Sequence, residues 1–410
     1  MPPSAKQMSD APTIPRRHVV RAMAATAAAA LLDPGSVLAR LLAEQSRACV
    51  DDRPLGRLVS TLPLSRADGL VQPFGVKIGG SGLDVRLNTD LSRLQPDRLI
   101  TPTSEAYVRT ECPAIVAAHR GPWSLRTSGF IGLPAGAGAL SIDDLMRRAR
   151  PMGAHLLECS GNNNPANFGL MSVAEWDGVP LSEFIAALRP QSNANGVLVS
   201  GVDPDQPSRT SIPGASWVVP LASLDSLGAF LAVRMNGDAL PLDHGRPVRL
   251  AVPGWYGCSW IKWVAEIRLV DASEPATSQM REFAGRTHQT AVHDLAAAYA
   301  PAAIQTAATA IRVEKRRVPG GLEYRVVGIV WGGTRVVDRL AIQFNDGQPW
   351  QPFDVCPTPL SSRTWSLWSY RWKPSAPGVY SIALRVPDAS VPQRRLDSGY
   401  YVRHVSVDEV

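Results

Sequence analysis

The apolar positions of this chain fall into short runs and not into long periodic stretches. Gly196–Val202 (GVLVSGV) and Val248–Val252 (VRLAV) are continuous apolar runs of strand length. Ser141–Arg150 (SIDDLMRRAR) places acids early and arginines late, as a helix dipole prefers, and predicts a helix that Pro151 ends. Leu181–Leu188 (LSEFIAAL) predicts a second short helix. From residue 107 to about 275 strands and helices mix without a regular βαβ alternation, so an α+β domain is expected. Residues 40–105 are polar, rich in Gly, Pro and Leu, and read as an irregular opening segment of that domain.

The pattern changes after about residue 300. Tyr324–Val330 (YRVVGIV), Arg335–Phe344 (RVVDRLAIQF) and Val379–Val386 (VYSIALRV) are β-type runs, and Asp346-Gly347 and Pro377-Gly378 mark turns. A β-sandwich is expected here. Its linker falls between Asp271 and Pro301, and Ala297–Ala310 gives no clear signal. The expected organisation is a signal or tail over 1–45, an α+β domain over 46–275, and a linker plus β-sandwich over 276–410.

Composition narrows the function classes. Of the 410 residues 45% are hydrophobic and 19% charged, which supports a sizeable core and excludes a disordered charged tail. Eleven Trp imply large rings at interfaces or in a deep core, with their N–H groups partnered. The net charge of +6 is spread along the chain, with no basic stripe or module of a nucleic-acid binder, so no nucleic-acid partner is expected. The excess suits small anions or an acidic partner. Five Cys without a CxxC form neither a zinc cluster nor a disulfide scaffold. Arg16 and Arg17 precede a short Ala-rich apolar stretch, the layout of a twin-arginine export signal, with an amphipathic helix as the alternative. That stretch is too short to span a bilayer, so no integral membrane segment is expected. Export implies the periplasm, and the alternative is a cytoplasmic protein.

The chemistry-bearing residues lie in a few dense segments. There is no GxSxG, HExxH, Walker A or dinucleotide fingerprint. Glu158–Asn164 (ECSGNNN) follows an apolar approach and delivers one thiol, Cys159, into a polar Gly-containing turn. Such a turn can hold a reactive thiolate or a nearby anion; a buried inert Cys is the alternative. Asp243–Leu250 (DHGRPVRL) brings His244, Arg246 and Arg249 together, and Val252–Lys262 (VPGWYGCSWIK) is a Gly- and Trp-rich loop that runs into Lys262. Basic side chains beside Gly-loop N–H groups suit a phosphate-bearing ligand. Ser208–Pro213 (SRTSIP) adds hydroxyls, and Tyr107-Val108-Arg109 adds an arginine.

These segments, in this order, resemble the sulfite oxidase family of molybdopterin enzymes. The resemblance covers roughly residues 100–405 and is most specific from Met235 to Trp263, around Cys159, in SGYYVRHVSV and in the spacing of Trp365, Trp368 and Trp372. It implies an α+β molybdopterin-binding domain followed by an immunoglobulin-like β-sandwich dimerisation domain, hence a homodimer. It implies a molybdenum-molybdopterin cofactor with Cys159 as the protein's metal ligand. Soft sulfur donors suit such a metal. By the same resemblance Val108, Arg109, Glu111, Ser208, Ser211, His244, Arg249, Ser259 and Lys262 are cofactor-binding positions, and Cys159, Arg109, Lys262 and Phe283 are the catalytic set. Electrons would pass to an external carrier, such as a c-type cytochrome, since no CxxCH or fused haem domain is visible.

The departures from the family pattern concern the substrate. Arg109-Thr110-Glu111 stands where Arg-Asn-His is common, which places Glu111 at the position of a cofactor-contacting His. Asn164 replaces an Arg of the sulfite-oxidising pattern, and Phe283 stands where the family has an active-site Tyr. A charge-assisted hydrogen bond to an oxyanion is worth roughly 1.5–3 kcal/mol, so losing one weakens sulfite binding by about 10- to 150-fold. The implied activity is oxygen transfer derived from water on a small oxyanion or sulfur-containing substrate that need not be sulfite. Three alternatives stay open: an authentic sulfite dehydrogenase, a sulfoxide-type reductase, and a cofactor-free binding or assembly scaffold.

Overall fold

Arg150–Glu158 and Met171–Pro180 form an antiparallel pair that sets up the first half of the molecule. Met171–Pro180 is apolar and buried along most of its length because it lies between Arg150–Glu158 and Phe230–Met235 in a five-stranded sheet. The computed structural model describes residues 55–65, 77–78, 85–133, 141–162, 168–202, 215–283 and 302–410. The twin-arginine segment, Asn164, Ser208 and Ser211 lie outside these residues. Asp238–Ala239 and Arg249–Ala251 complete the first sheet by pairing with Phe230–Met235. A four-stranded sheet runs Arg126–Gly129, Val264–Val270, Gly196–Gly201, Ser216–Pro220, parallel only in its first pair. A small antiparallel sheet joins Lys77–Ile78, Arg86–Leu87 and Val108–Arg109.

Helices contribute little, so the α+β expectation holds with the strands dominant. The predicted helix is Ile142–Arg148, started by a capping box in which Ser141 and Asp144 exchange bonds. It ends at Arg148, before Pro151. Pro151 instead sits in the edge strand Arg150–Glu158, at a register shift between Pro151 and Gly153. An edge position with a bulge is where a sheet tolerates proline. Leu181–Ala187 forms as the second predicted helix.

The C-terminal half consists of two four-stranded sheets. One runs Arg57–Leu62, Ala307–Val318, Gly321–Trp331, Ser366–Trp372; the other runs Gln351–Asp354, Arg339–Phe344, Gly378–Arg385, Arg403–Val407. Their inner faces meet through aromatic rings: Phe344 stacks on Trp372 at 4.3 Å, and Phe353 lies 5.2 Å from Trp368. Each large apolar side chain buried here stabilises by about 1.5–3 kcal/mol. Two segments differ from the sequence reading. Arg57–Leu62, expected within an irregular stretch of the first domain, is an edge strand of this second unit and pairs with Ala307–Val318. The signal-poor Ala-rich stretch gives way at Ala307 to a 12-residue strand.

Candidate active site

The thiol of Cys159 sits at the end of the Arg150–Glu158 strand, where the chain turns toward Met171–Pro180. Three bonds shape the turn. Cys159 N–H donates to the Leu170 carbonyl at 2.9 Å, and Asn162 N–H donates to the Cys159 carbonyl at 2.9 Å. The Gly161 N–H points at the Cys159 sulfur at 3.4 Å. Buried Asn162 accepts from the N–H groups of Gly169 and Leu170, each at 3.0 Å. An Asn in this turn is therefore a structural clamp, whereas the sequence suggested only a general polar surround. Cys159 is half-buried. Burial pushes its thiol up, while the Arg109 charge and the Gly161 N–H pull it down.

Cys159 opens onto a cavity of about 90 Å³, open at its mouth. The cavity brings together Val108, Arg109, Cys159, His244, Arg249, Lys262 and Phe283 from the predicted set. Arg249 begins the Arg249–Ala251 strand and is buried. Its guanidinium lies between two indoles, 5.3 Å from Trp176 and 5.6 Å from Trp260. It donates to the carbonyls of His244 at 3.0 Å and Trp260 at 3.2 Å. Its Nε is buried with no hydrogen-bond partner among the described residues. Burial lowers its pKa to about 10. His244 is buried beside it, and desolvation with the Arg249 and Lys262 charges lowers its pKa to about 3. It is therefore a neutral imidazole at ordinary pH.

Lys262 reaches the same cavity, with its ammonium donating to three main-chain carbonyls. These are Arg109 at 3.1 Å, Thr110 at 2.7 Å and Asp243 at 2.9 Å. It also lies 4.2 Å over the Trp263 ring. The lysine thus ties the Val108–Arg109 strand to the His244 segment. Thr110 is held at φ 76°, a left-handed conformation that a β-branched residue adopts only under constraint.

Two predicted positions do not line the cavity. Ser259 is buried and turns its hydroxyl to the Tyr256 carbonyl at 2.8 Å, so its O–H is spent closing its own loop. At the position read as Glu111, Thr110 forms the wall instead. Phe283 ends the Ser278–Phe283 helix and contributes an apolar wall. Eleven lining residues were absent from the predicted set, and three of them shape the wall beside the thiol. Tyr107 is buried on the wall, and its phenol is raised well above its ordinary value by burial and by Cys159. Gly257 makes room for it: a Cβ there would stand 2.6 Å from the Tyr107 oxygen. Cys258 is a second buried thiol, pushed up to about 12 by burial. The available signal was adjacency, since Tyr107 precedes Val108 and Cys258 precedes Ser259.

Residues 112–278 match the family model described as an oxidoreductase molybdopterin binding domain. The chain is similar to the sulfite oxidase family of molybdopterin-dependent oxidoreductases. It is 28% identical over 331 residues to the mitochondrial sulfite oxidase of Macaca fascicularis, covering 76% of this chain and 58% of that protein. It is 28% identical to the sulfite oxidase of Gallus gallus, covering 73% and 69% respectively. A nitrate reductase [NADPH] of Fusarium oxysporum is 28% identical over 198 residues, covering 44% of this chain and 21% of that protein. Among solved structures, the sulfane dehydrogenase SoxCD of Paracoccus pantotrophus shares the fold, with TM-score 0.56 and 16% identity, covering 88% of this chain and 95% of that chain.

The cavity fits the family's cofactor on its own chemistry. A buried guanidinium that has no carboxylate partner and a free Nε among the described residues calls for an anionic ligand. A thiol on the same wall supplies the soft donor that molybdenum takes. Among the described residues no helix is long and apolar enough to cross a membrane.

Proposed function

We propose that this chain is a molybdenum-molybdopterin oxidoreductase acting on a small sulfur-containing compound or oxyanion, with a pocket altered from that for sulfite. The observation that carries this reading is the shared cavity of Cys159, Arg109 and the buried guanidinium of Arg249, whose Nε has no partner among the described residues. Cys159 would hold the metal as thiolate, and Arg249, His244 and the Val108–Arg109 segment would hold the pterin. When bound, the group supplies two-electron oxygen transfer between water and substrate. The chain's residues do the rest. Arg109 lowers the cost of an anion beside Cys159, and the Gly161 N–H stabilises charge on the sulfur. Neutral His244 offers a hydrogen bond without repelling Arg249. Phe283, Leu157 and Trp260 exclude water, which strengthens each of these interactions. Tyr107 supplies a protonated phenol on a wall where Phe283 has none.

An external electron carrier, of the c-type cytochrome kind, completes the cycle. The two packed sheets act as an immunoglobulin-like dimerisation unit, giving a homodimer. Export to the periplasm is supported by Cys356, which is disulfide-bonded, a state that persists in oxidising compartments. Retention of Arg109 favours one second reading, an authentic sulfite dehydrogenase. The test is molybdenum and pterin per chain in protein from a host that makes the cofactor, followed by sulfite turnover with ferricyanide. About one molybdenum per chain with slow sulfite turnover is expected. Fast turnover at micromolar KM selects sulfite dehydrogenase, and folded protein without molybdenum or pterin overturns the enzyme reading.

A further inference from the structure

Glu158, the residue before the thiol, is fully buried, and both its carboxylate oxygens are bound by the C-terminal half of the molecule. Arg394 donates to both oxygens at 2.7 Å each. Trp331 Nε1 donates to Oε2 at 2.8 Å, and Asn162 Nδ2 donates to Oε1 at 3.3 Å. Arg394 is itself fixed by a 2.8 Å bond to the Tyr401 hydroxyl and by its own N–H on the Thr306 carbonyl at 3.0 Å. A buried ion pair is a weak source of stability, because apolar residues of similar volume often replace it at no cost. Its geometric effect is stronger. A bidentate pair fixes direction as well as distance. Here it fixes the residue that leads into the Cys159 turn, while Asn162 clamps the other side of the same turn.

We propose that Glu158 is a positioning residue through which Trp331 of a C-terminal sheet and Arg394 of the connection before the last strand hold the Cys159 thiol in its direction toward the cavity. The inference rests on the reading of Cys159 as metal ligand. It assigns to the second unit a part in the metal site that is separate from dimer formation.

The test measures Cys159 alkylation by iodoacetamide in cofactor-free protein, and the thiolate-to-metal absorption and electron paramagnetic resonance signals in loaded protein. The variants are Glu158→Gln, the double change Glu158→Leu with Arg394→Leu, and Trp331→Phe. Alkylation is expected to rise about tenfold in the first two and about threefold in Trp331→Phe, as lost anchoring bonds let the turn open. The metal signals shift in the same order. Folded variants with alkylation within about twofold of the parent and unmoved metal signals overturn the proposal, since a purely structural pair would change stability alone. Trp331→Phe keeps its ring and decides the matter where the charge changes prevent folding. Wild-type protein that takes up no molybdenum defeats the functional reading, while alkylation of the cofactor-free protein still decides whether Glu158 positions the thiol.

Discussion

Arg249 and Cys159 were legible from the sequence because their segments are dense in chemistry, but the partners that make them work were not. The roles of Lys262 and Ser259 depended on which way a side chain turns: Lys262 is fixed by main-chain carbonyls supplied elsewhere in the fold, and Ser259 by the Tyr256 carbonyl of its own loop. Glu158 was quoted only as the first letter of a motif, since its partners lie 173 and 236 residues away. Cys159→Ser is expected to fold and to lose most of its molybdenum, checked by metal analysis. Arg249→Met keeps the stem between Trp176 and Trp260 and removes the charge. It is expected to lower pterin retention by tenfold or more, on the order of one charged hydrogen bond, measured after gel filtration. His155 gives a pH signature. Burial lowers its pKa to about 4, with a Met152 carbonyl bond opposing and Arg363 adding to the shift. The unfolded chain protonates this imidazole near pH 6.5 and the folded chain does not, so stability is level above 6.5 and falls as pH drops toward 4. At pH 5 the loss is about 2 kcal/mol, and His155→Gln removes that part of the slope in urea titrations at pH 7.5 and 5.

Strands that are apolar and covered, such as Gly196–Gly201 and Gly321–Trp331, announce themselves; strands whose burial depends on distant pairing do not. Ala307–Val318 carries Arg312, Glu314 and Lys315, which read as solvated yet are all buried. Arg312 is bound to Glu314 at 2.9 Å and to the Leu94 carbonyl at 2.6 Å, so the charges enter the interior already paired. Arg57–Leu62 escaped notice for the opposite reason: Leu58 and Val59 are exposed on an edge, so its apolar residues mark no core face. A close contact between strands is at Gly328 in Gly321–Trp331. A Cβ there would stand 2.1 Å from the Trp368 ring and 2.4 Å from the Thr309 carbonyl. Gly328→Ala is expected to cost about 3 kcal/mol, read as a lowered Tm, without changing the cavity residues.

Across the whole molecule the two halves are joined by buried polar bonds. Glu158 binds Arg394, Arg312 binds the Ser92 carbonyl, and Trp365 Nε1 binds the Leu99 carbonyl at 3.0 Å. Separating them would strand a buried carboxylate and a buried guanidinium, which is strongly unfavourable. A chain cut after residue 301 is therefore expected to be insoluble or unfolded, and the full chain to lose near- and far-ultraviolet circular dichroism in one coincident transition. Two separated transitions would show that the halves are energetically independent. The edge strand Arg57–Leu62 adds an order in time. Arg57 pairs with Arg317, 260 residues later in the chain. At a ribosomal rate of roughly 5–20 residues per second, this early strand emerges tens of seconds before its partner exists. During that interval its backbone N–H and C=O groups stay unpaired, so this strand joins its sheet only in the last quarter of synthesis.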